Sequence, residues 1–320
     1  MILVTGGTGF VGRHLVRALT ARGEKVRVLS RSSAPSAMGT GVEIATGDLT
    51  DAASLARAVS GIHTIIHLAA RLHSPVQSPD ELHEFNVGST AAMAMVARSS
   101  SVQRFVHVSS GGVYGDGRTL EPHRESDTPT PGNAYERSKL AAEGALRDRL
   151  AGSSVAWVIL RPAGIYGAGR PATAAFFDRV RGQRLWLHST PNVIVHPTHV
   201  SDVVQACLRV LDASGIERRV FNVAGERSLP FHEFVAMTAD ALGVRARQLV
   251  IPSLVGRPLA RAAAGGMRAV GMHVPERLDR VARAAVNRAL DISLARRVLG
   301  FTPTDLPAAL RESVEAMRAG

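Results

Sequence analysis

The chain is short of several things, and each shortage narrows what it can be. It has one cysteine, Cys207, in 320 residues, so no intramolecular disulfide can form and the composition fits a reducing compartment. Cys207 lies in an apolar helical stretch, where the expectation is a buried, inert thiol. No uncharged apolar run approaches the roughly 20 residues that a membrane-crossing helix requires. The chain opens on a strand-like run, without the charged and apolar regions of a secretory leader. Together these features lead to the expectation of a cytoplasmic protein. Aromatic residues make up only 4% of the sequence, and this bears on the net charge of +11. From Arg257 to Arg297, nine arginines face three acids, Glu276, Asp279 and Asp291, with no aromatic side chain among them to stack on a base. Arg261, Arg268, Arg280 and Arg283 alternate with alanine, valine and leucine, the pattern of a solvated amphipathic helix. Contact with an acidic substrate or a membrane surface is the second reading, and nucleic acid the last.

Lysine is also scarce. Of 38 basic residues only Lys25 and Lys139 are lysines, so arginine supplies positive charge almost everywhere. What the chain has in quantity is apolar and small residues. The 45% hydrophobic and 20% charged content is that of a globular protein, long enough for one large domain or a domain with a smaller lobe.

The run Thr5-Gly6-Gly7-Thr8-Gly9-Phe10-Val11-Gly12 follows the apolar segment Ile2-Leu3-Val4 and leads into the helical pattern His14–Leu19. A strand, a glycine turn and a helix start together form an anion cradle. The glycines allow a tight turn and close backbone approach, and the first N–H groups of the helix face the pyrophosphate of a dinucleotide. In Tyr135-Glu136-Arg137-Ser138-Lys139 the tyrosine and lysine are four apart and share one helix face. An ammonium beside a phenol favours the phenolate and would lower its pKa from about 10. Tyr135 is therefore the candidate acid/base for carbonyl–alcohol interconversion. Ser110 follows the apolar strand Phe105–Val108, at the sheet edge where ligands of open α/β sheets bind.

Apolar strands at 2–5, 26–29, 42–45, 64–68, 105–108 and 155–160 alternate with helical patterns at about 11–22, 51–59, 80–100 and 134–150. This alternation predicts an α/β fold: a Rossmann-type, doubly wound parallel sheet with a smaller, mostly C-terminal substrate lobe. Residues 1–165 plus about 196–225 form the expected dinucleotide-binding domain. Residues 166–195 and 226–320 form the expected substrate lobe.

Nine stretches resemble, in order, the extended short-chain dehydrogenase/reductases of the NAD-dependent epimerase/dehydratase group. They are Gly6, Gly9 and Gly12; Gly47-Asp48-Leu49; His67-Leu68-Ala69-Ala70; Asn86-Val87-Gly88-Ser89-Thr90; Ser109-Ser110 before Val113-Tyr114-Gly115; Tyr135 to Lys139; Arg161-Pro162 with Ile165-Tyr166-Gly167; His199–Val203; and Phe221–Gly225. The similarity runs from residue 1 to about 245. The resemblance implies that Ser110, Tyr135 and Lys139 are catalytic, with Ser110 bonding the substrate oxygen and Lys139 holding the nicotinamide ribose. It implies a cofactor site of Gly6, Gly9, Phe10, Val11, Gly12, Arg31, Asp48, Leu49, Leu68, Ala69, Ala70, Asn86, Tyr135, Lys139 and Pro162, with no metal. It also implies a homodimer through the helices near 80–100 and 134–150.

The second strand ends in Leu29-Ser30-Arg31-Ser32-Ser33, with no acid to bond a ribose 2′-hydroxyl and an arginine able to meet a 2′-phosphate. NADP is favoured over NAD, with Arg13 as a possible second contact. Departures from the family pattern narrow the reaction. Gly111 and Gly112 stand where dehydratases carry an acidic pair. Gly164 and Val195 stand where nucleotide-sugar epimerases carry an asparagine and a diphosphate-binding arginine. Phe176, Phe177, Leu185, Trp186 and Leu187 suit an apolar substrate, or equally the packing of the lobe. The leading reading is an NAD(P)-dependent oxidoreductase acting on a neutral ketone or secondary alcohol, with Arg170, Arg179, Arg181 and Arg184 turned to solvent; for a nucleotide sugar, one of these arginines or the basic C-terminal segment would have to hold the diphosphate instead. The alternatives are a nucleotide-sugar epimerase or keto-sugar reductase and, less favoured, a dinucleotide-sensing protein without catalysis.

Overall fold

Short β-branched runs become the strands of one sheet. In chain order these are β1 (Ile2–Thr5), β2 (Val26–Ser30), β3 (Val42–Thr46), β4 (Thr64–His67), β5 (Arg104–Val108) and β6 (Ala156–Pro162), with helices α1 (Phe10–Ala21), α2 (Ala52–Val59), α3 (Pro79–Arg98) and α4 (Ala134–Arg149) between them. The computed structural model describes residues 1–33, 41–72, 78–116, 121–183, 186–190, 193–272, 274 and 286–319. Expected and observed boundaries agree to within about two residues, because each element starts and stops on a local signal. The Asp51 carboxylate accepts from the backbone N–H groups of Ala53 and Ser54 at the start of α2. Ser78 and Glu81 form a capping box ahead of α3, with Pro79 at its first turn.

The later elements are β7 (Ile165–Tyr166), α5 (Pro171–Arg181), β8 (Trp186–Thr190), β9 (Val193–Val195), β10 (Thr198–His199), α6 (Val200–Asp212), β11 (Arg219–Val223), β12 (Leu229–Pro230), α7 (Phe231–Leu242), β13 (Gln248–Pro252), α8 (Ser253–Ala269), β14 (Val286–Asn287), α9 (Ser293–Leu299) and α10 (Leu306–Ala319). The main sheet has the order β11-β6-β5-β4-β1-β2-β3, and every neighbouring pair is parallel. This is the doubly wound fold expected from the alternation. The strand order reverses between β1 and β4, which opens a crevice at their C-terminal ends.

Both faces of the sheet are covered, which is why β1 and β4 are buried along their whole length. Leu15, Val16 and Leu19 of α1 pack on one face, and Met93, Ala94 and Ala97 of α3 on the other. Phe177, Leu229, Phe234, Leu306 and Leu310 belong to a separate lobe core. Leu290, Ile292, Leu299 and Phe301 pack instead with Val108, Leu160 and Phe221 of the sheet, so in packing terms this part of 226–320 lies with the sheet. Among the described residues no helix is long and apolar enough to cross a membrane. Arg261 and Arg268 are exposed on α8, while Arg280 and Arg283 lie outside the described residues. Cys207 is fully buried and its thiol is pushed up to about 12 by burial alone.

Candidate active site

The glycine turn is made by close contacts. Gly6 has φ +71° and a Cβ there would sit 2.7 Å from the Ala69 nitrogen, while a Cβ on Gly12 would sit 2.1 Å from the Gly6 carbonyl oxygen. Any larger residue at either position would fill the space beside the start of α1, where the first-turn N–H groups lack helical acceptors. The residues present therefore fit a dinucleotide phosphate. Ala69, between Leu68 and Ala70 at the end of β4, forms the opposite wall. Asn86 serves this wall from beneath. Its side chain accepts from Arg71 N (2.8 Å) and donates to Arg71 O (3.1 Å) and Ser138 Oγ (2.9 Å), tying the loop after β4 to α4. Pro162 closes β6 beside Gly111.

At the end of β2, Arg31 is exposed. Asp48 accepts from the Thr50 N–H and hydroxyl at 2.9 and 2.7 Å, and these bonds hold its carboxyl below the usual range, with Arg31 and Arg71 adding to the effect. Leu49 packs partly against the sheet core. Arg13 is directed elsewhere, its guanidinium reaching the Gly169 carbonyl at 3.4 Å.

Ser109 and Ser110 diverge after β5. The Ser109 hydroxyl donates to Glu143 Oε1 at 2.6 Å, inside the protein. Ser110 Oγ accepts from Gly112 N at 3.1 Å at the start of a short 3₁₀ turn, Gly111–Tyr114. On α4, Tyr135 and Lys139 lie one turn apart. The Lys139 ammonium is buried and donates to the Val108 carbonyl at 2.8 Å, and burial lowers it to about 8 against the opposing charge of Glu143. The Tyr135 phenol is raised to about 12 by burial, with Arg170 pulling it down and Glu136 pushing it up. The depression expected from Lys139 is not found, since burial dominates the phenol; the Lys139 charge acts on the buried His67 and His107. Tyr135 is thus a protonated hydrogen-bond donor at neutral pH.

Two features of the site were not read from the sequence, and a third departs from the expectation. The first is a buried ion pair: Arg161 grips Glu143 in a bidentate pair at 2.9 and 2.7 Å, and its third nitrogen donates to the Tyr114 hydroxyl at 2.7 Å, which in turn donates to Asn222. The available signal was Glu143, one turn beyond Lys139 on the buried face of α4. The second is Glu136, buried at the N-terminus of α4 and bonded to Gly132 N and Arg288 Nη1 at 2.8 Å each. Arg288 also binds Asp116 at 2.8 Å. A Cβ on Gly112 would lie 3.2 Å from both Glu136 Oε1 and Ser110 Oγ, and one on Gly111 would lie 2.7 Å from Leu290 Cδ1. The third is Arg170, which lines a cavity of ≈ 250 Å³ together with Ile165, Tyr166, Phe176, Val195 and Phe234. The expectation that Arg170 turns to solvent is not met. Phe176 lines this cavity, whereas Phe177 is fully buried in the lobe core. Arg184 and Leu185 lie outside the described residues, as do the side chains of Trp186 and Leu187.

Comparison with known proteins agrees with this architecture. Residues 2–224 match the model of the NAD dependent epimerase/dehydratase family, and the chain belongs to that family. It is 30% identical over 310 residues to a 4-hydroxy-2-methyl-3-oxo-4-farnesyl-3,4-dihydroquinoline-1-oxide ketoreductase of Stigmatella aurantiaca, covering 93% of this chain and 90% of the relative. It is 31% identical to sterol demethylase protein B of Methylococcus capsulatus over 99% of this chain and 98% of the relative. Among solved structures it is similar to MoeE5 in complex with UDP-glucuronic acid and NAD, with a TM-score of 0.76, 27% identity and 99% of each chain covered.

Proposed function

We propose that the protein is an NAD(P)-dependent oxidoreductase that interconverts a ketone and a secondary alcohol. Tyr135 moves the proton to and from the substrate oxygen, Ser110 hydrogen-bonds that oxygen, and Lys139 holds the nicotinamide ribose. When bound, the nicotinamide supplies or accepts the hydride. The turn at Gly6, Gly9 and Gly12, with the amides of Phe10, Val11 and Gly12, carries the pyrophosphate. The observation that carries the reading is the anchoring of Lys139 on the Val108 carbonyl at 2.8 Å. It sets the ammonium two residues from Ser110 and one helical turn from Tyr135. In the reduction direction the protonated phenol donates to the carbonyl oxygen, and in the oxidation direction its conjugate base takes the proton back.

Arg31, exposed at the end of β2 with no acid beside it in the chain, supports a preference for NADP. The apolar cavity walls, with Gly164 and Val195 in place of the nucleotide-sugar ligands, support a ketone substrate in a lobe built from 166–195 and parts of 226–320. A homodimer through α3 and α4 belongs to the same reading, and light scattering at micromolar concentration tests it.

The decisive experiment follows cofactor absorbance as the purified enzyme meets a panel of apolar ketones and, separately, UDP-glucose and UDP-glucuronic acid. Consumption of reduced cofactor with ketones, lost in Tyr135→Phe, supports the proposal. Turnover of nucleotide sugars alone would transfer the site to the epimerase reading.

A further inference from the structure

Two guanidinium groups line the cavity next to the proposed catalytic residues, and they differ in one respect. Arg288 is neutralised by Glu136 and Asp116. Arg170 is half-buried at the start of α5, and a single hydrogen bond holds it, from Nη1 to the Ile165 carbonyl. Among the described residues no carboxylate lies within ion-pair distance of it. A guanidinium has five N–H donors in a planar fork shaped for a carboxylate, and most of those of Arg170 meet no protein acceptor among the described residues. A half-buried guanidinium on a cavity wall, with no carboxylate beside it among the described residues, is placed to take an anion that enters the cavity. The other cavity walls, Ile165, Tyr166, Phe176, Val195, Phe231 and Phe234, offer no further charge. The field of Arg170 reaches Tyr135, and the phenol acts back on the arginine. Arg288 on the same cavity bonds Glu136 at 2.8 Å, and Glu136 follows Tyr135 on α4, so the cavity that Arg170 lines borders the start of the helix carrying the proposed acid/base.

We propose that Arg170 anchors a carboxylate on the substrate, so that the site takes an apolar ketone or secondary alcohol carrying an acid group a few bonds from the reacting carbon. The proposal rests on the reading of Tyr135 and Ser110 as the site of reaction, and it replaces the neutral ketone with an acidic one. A cavity of ≈ 250 Å³ suits such a compact acid better than a nucleoside diphosphate.

The test uses binding, so that it does not depend on turnover. The cofactor-loaded enzyme is titrated calorimetrically with 4-phenylbutyrate, with the neutral 4-phenylbutanamide, and with UDP. Charge-assisted bonding should make the carboxylate bind roughly ten-fold or more tighter than the amide. Arg170→Gln should erase that difference while leaving amide binding unchanged, and Arg170→Lys should keep part of it. Tyr135→Phe should keep all of it, so failure of the catalytic assignment would leave the preference intact. Equal binding of acid and amide, no acid binding at millimolar concentration, or a preference that survives in Arg170→Gln would each overturn the proposal. Arg170-dependent binding of UDP in place of the acid would also overturn it, in favour of a nucleotide ligand.

Discussion

Replacing Glu143 by leucine should destabilise the protein far more than its single side chain suggests. The Glu143 side chain is 0% exposed and that of Arg161 4%, and the two share a bidentate pair. Leucine leaves the Arg161 charge buried with only the Tyr114 hydroxyl for company, and it also removes the acceptor of the Ser109 hydroxyl. Breaking a buried pair from one side costs about 3–5 kcal/mol. Arg147, the other partner of Glu143, is 36% exposed and can turn to water, so it adds little. For a chain of this length, an unfolding entropy of about 2 cal/mol/K per residue converts the loss into a melting shift of roughly 5–8 °C. Urea titration followed by circular dichroism, with calorimetry for the melting point, measures both. The double variant Glu143→Leu/Arg161→Leu removes the larger stranded charge, though Lys139 still loses the opposing charge of Glu143, and should recover part of the loss. A single-variant loss below about 1 kcal/mol, or a double variant no better than the single, would refute the account of a desolvated pair.

Tyr135→Phe should lower turnover by about 10²–10⁴-fold with cofactor affinity retained, measured by steady-state kinetics beside cofactor titration; unchanged turnover removes Tyr135 from the mechanism. Gly12→Ala should abolish dinucleotide binding, since its Cβ would meet the Gly6 carbonyl at 2.1 Å, and retained affinity counts against the phosphate turn. Arg31→Glu should shift preference from NADP toward NAD, read as the ratio of the two kcat/KM values; an unmoved ratio excludes Arg31 from 2′-phosphate binding. Burial holds His67 at about 3 and His196 at about 4 in the folded protein, against about 6.5 when unfolded. Below pH about 6.5 the unfolded chain takes up protons that the fold refuses, so stability should fall toward pH 4 by up to about 1.4 kcal/mol per pH unit for each histidine. A flat stability profile over that window contradicts their neutral burial.

What the sequence made legible is what local chemistry encodes. The glycine turn, the four-residue spacing of Tyr135 and Lys139, and the apolar strand ahead of Ser110 each carry their meaning within a dozen residues, and the sheet follows from their alternation. Partner choice across the chain was not legible. Glu143 with Arg161 and Glu136 with Arg288 are decided by how β6, α4 and the segment after β14 approach one another, and the place of Arg170 on the cavity by how the start of α5 packs. The same limit explains the phenol. Spacing placed Lys139 beside Tyr135, but the carbonyl at the end of β5 claims the ammonium, and burial then sets the phenol high. Phe176 and Phe177, neighbours in the chain, divide between the cavity and the lobe core because successive helical residues face different ways.

The contacts at Gly111 and Gly112 bear on how this protein could change. An acidic pair at these positions is the shortest route on paper to dehydratase chemistry. Leu290 occupies the space that a side chain at 111 would need, and the Glu136 carboxylate stands where one at 112 would point. A side chain at 111 therefore displaces the end of Leu290, and one at 112 presses on the Glu136 side chain. Movement of Glu136 would in turn disturb its bond to Arg288, which also holds Asp116. Variation in the short turn after β5 is thus coupled to residues far apart in the chain, through Leu290 on one side and through Glu136 and Arg288 on the other.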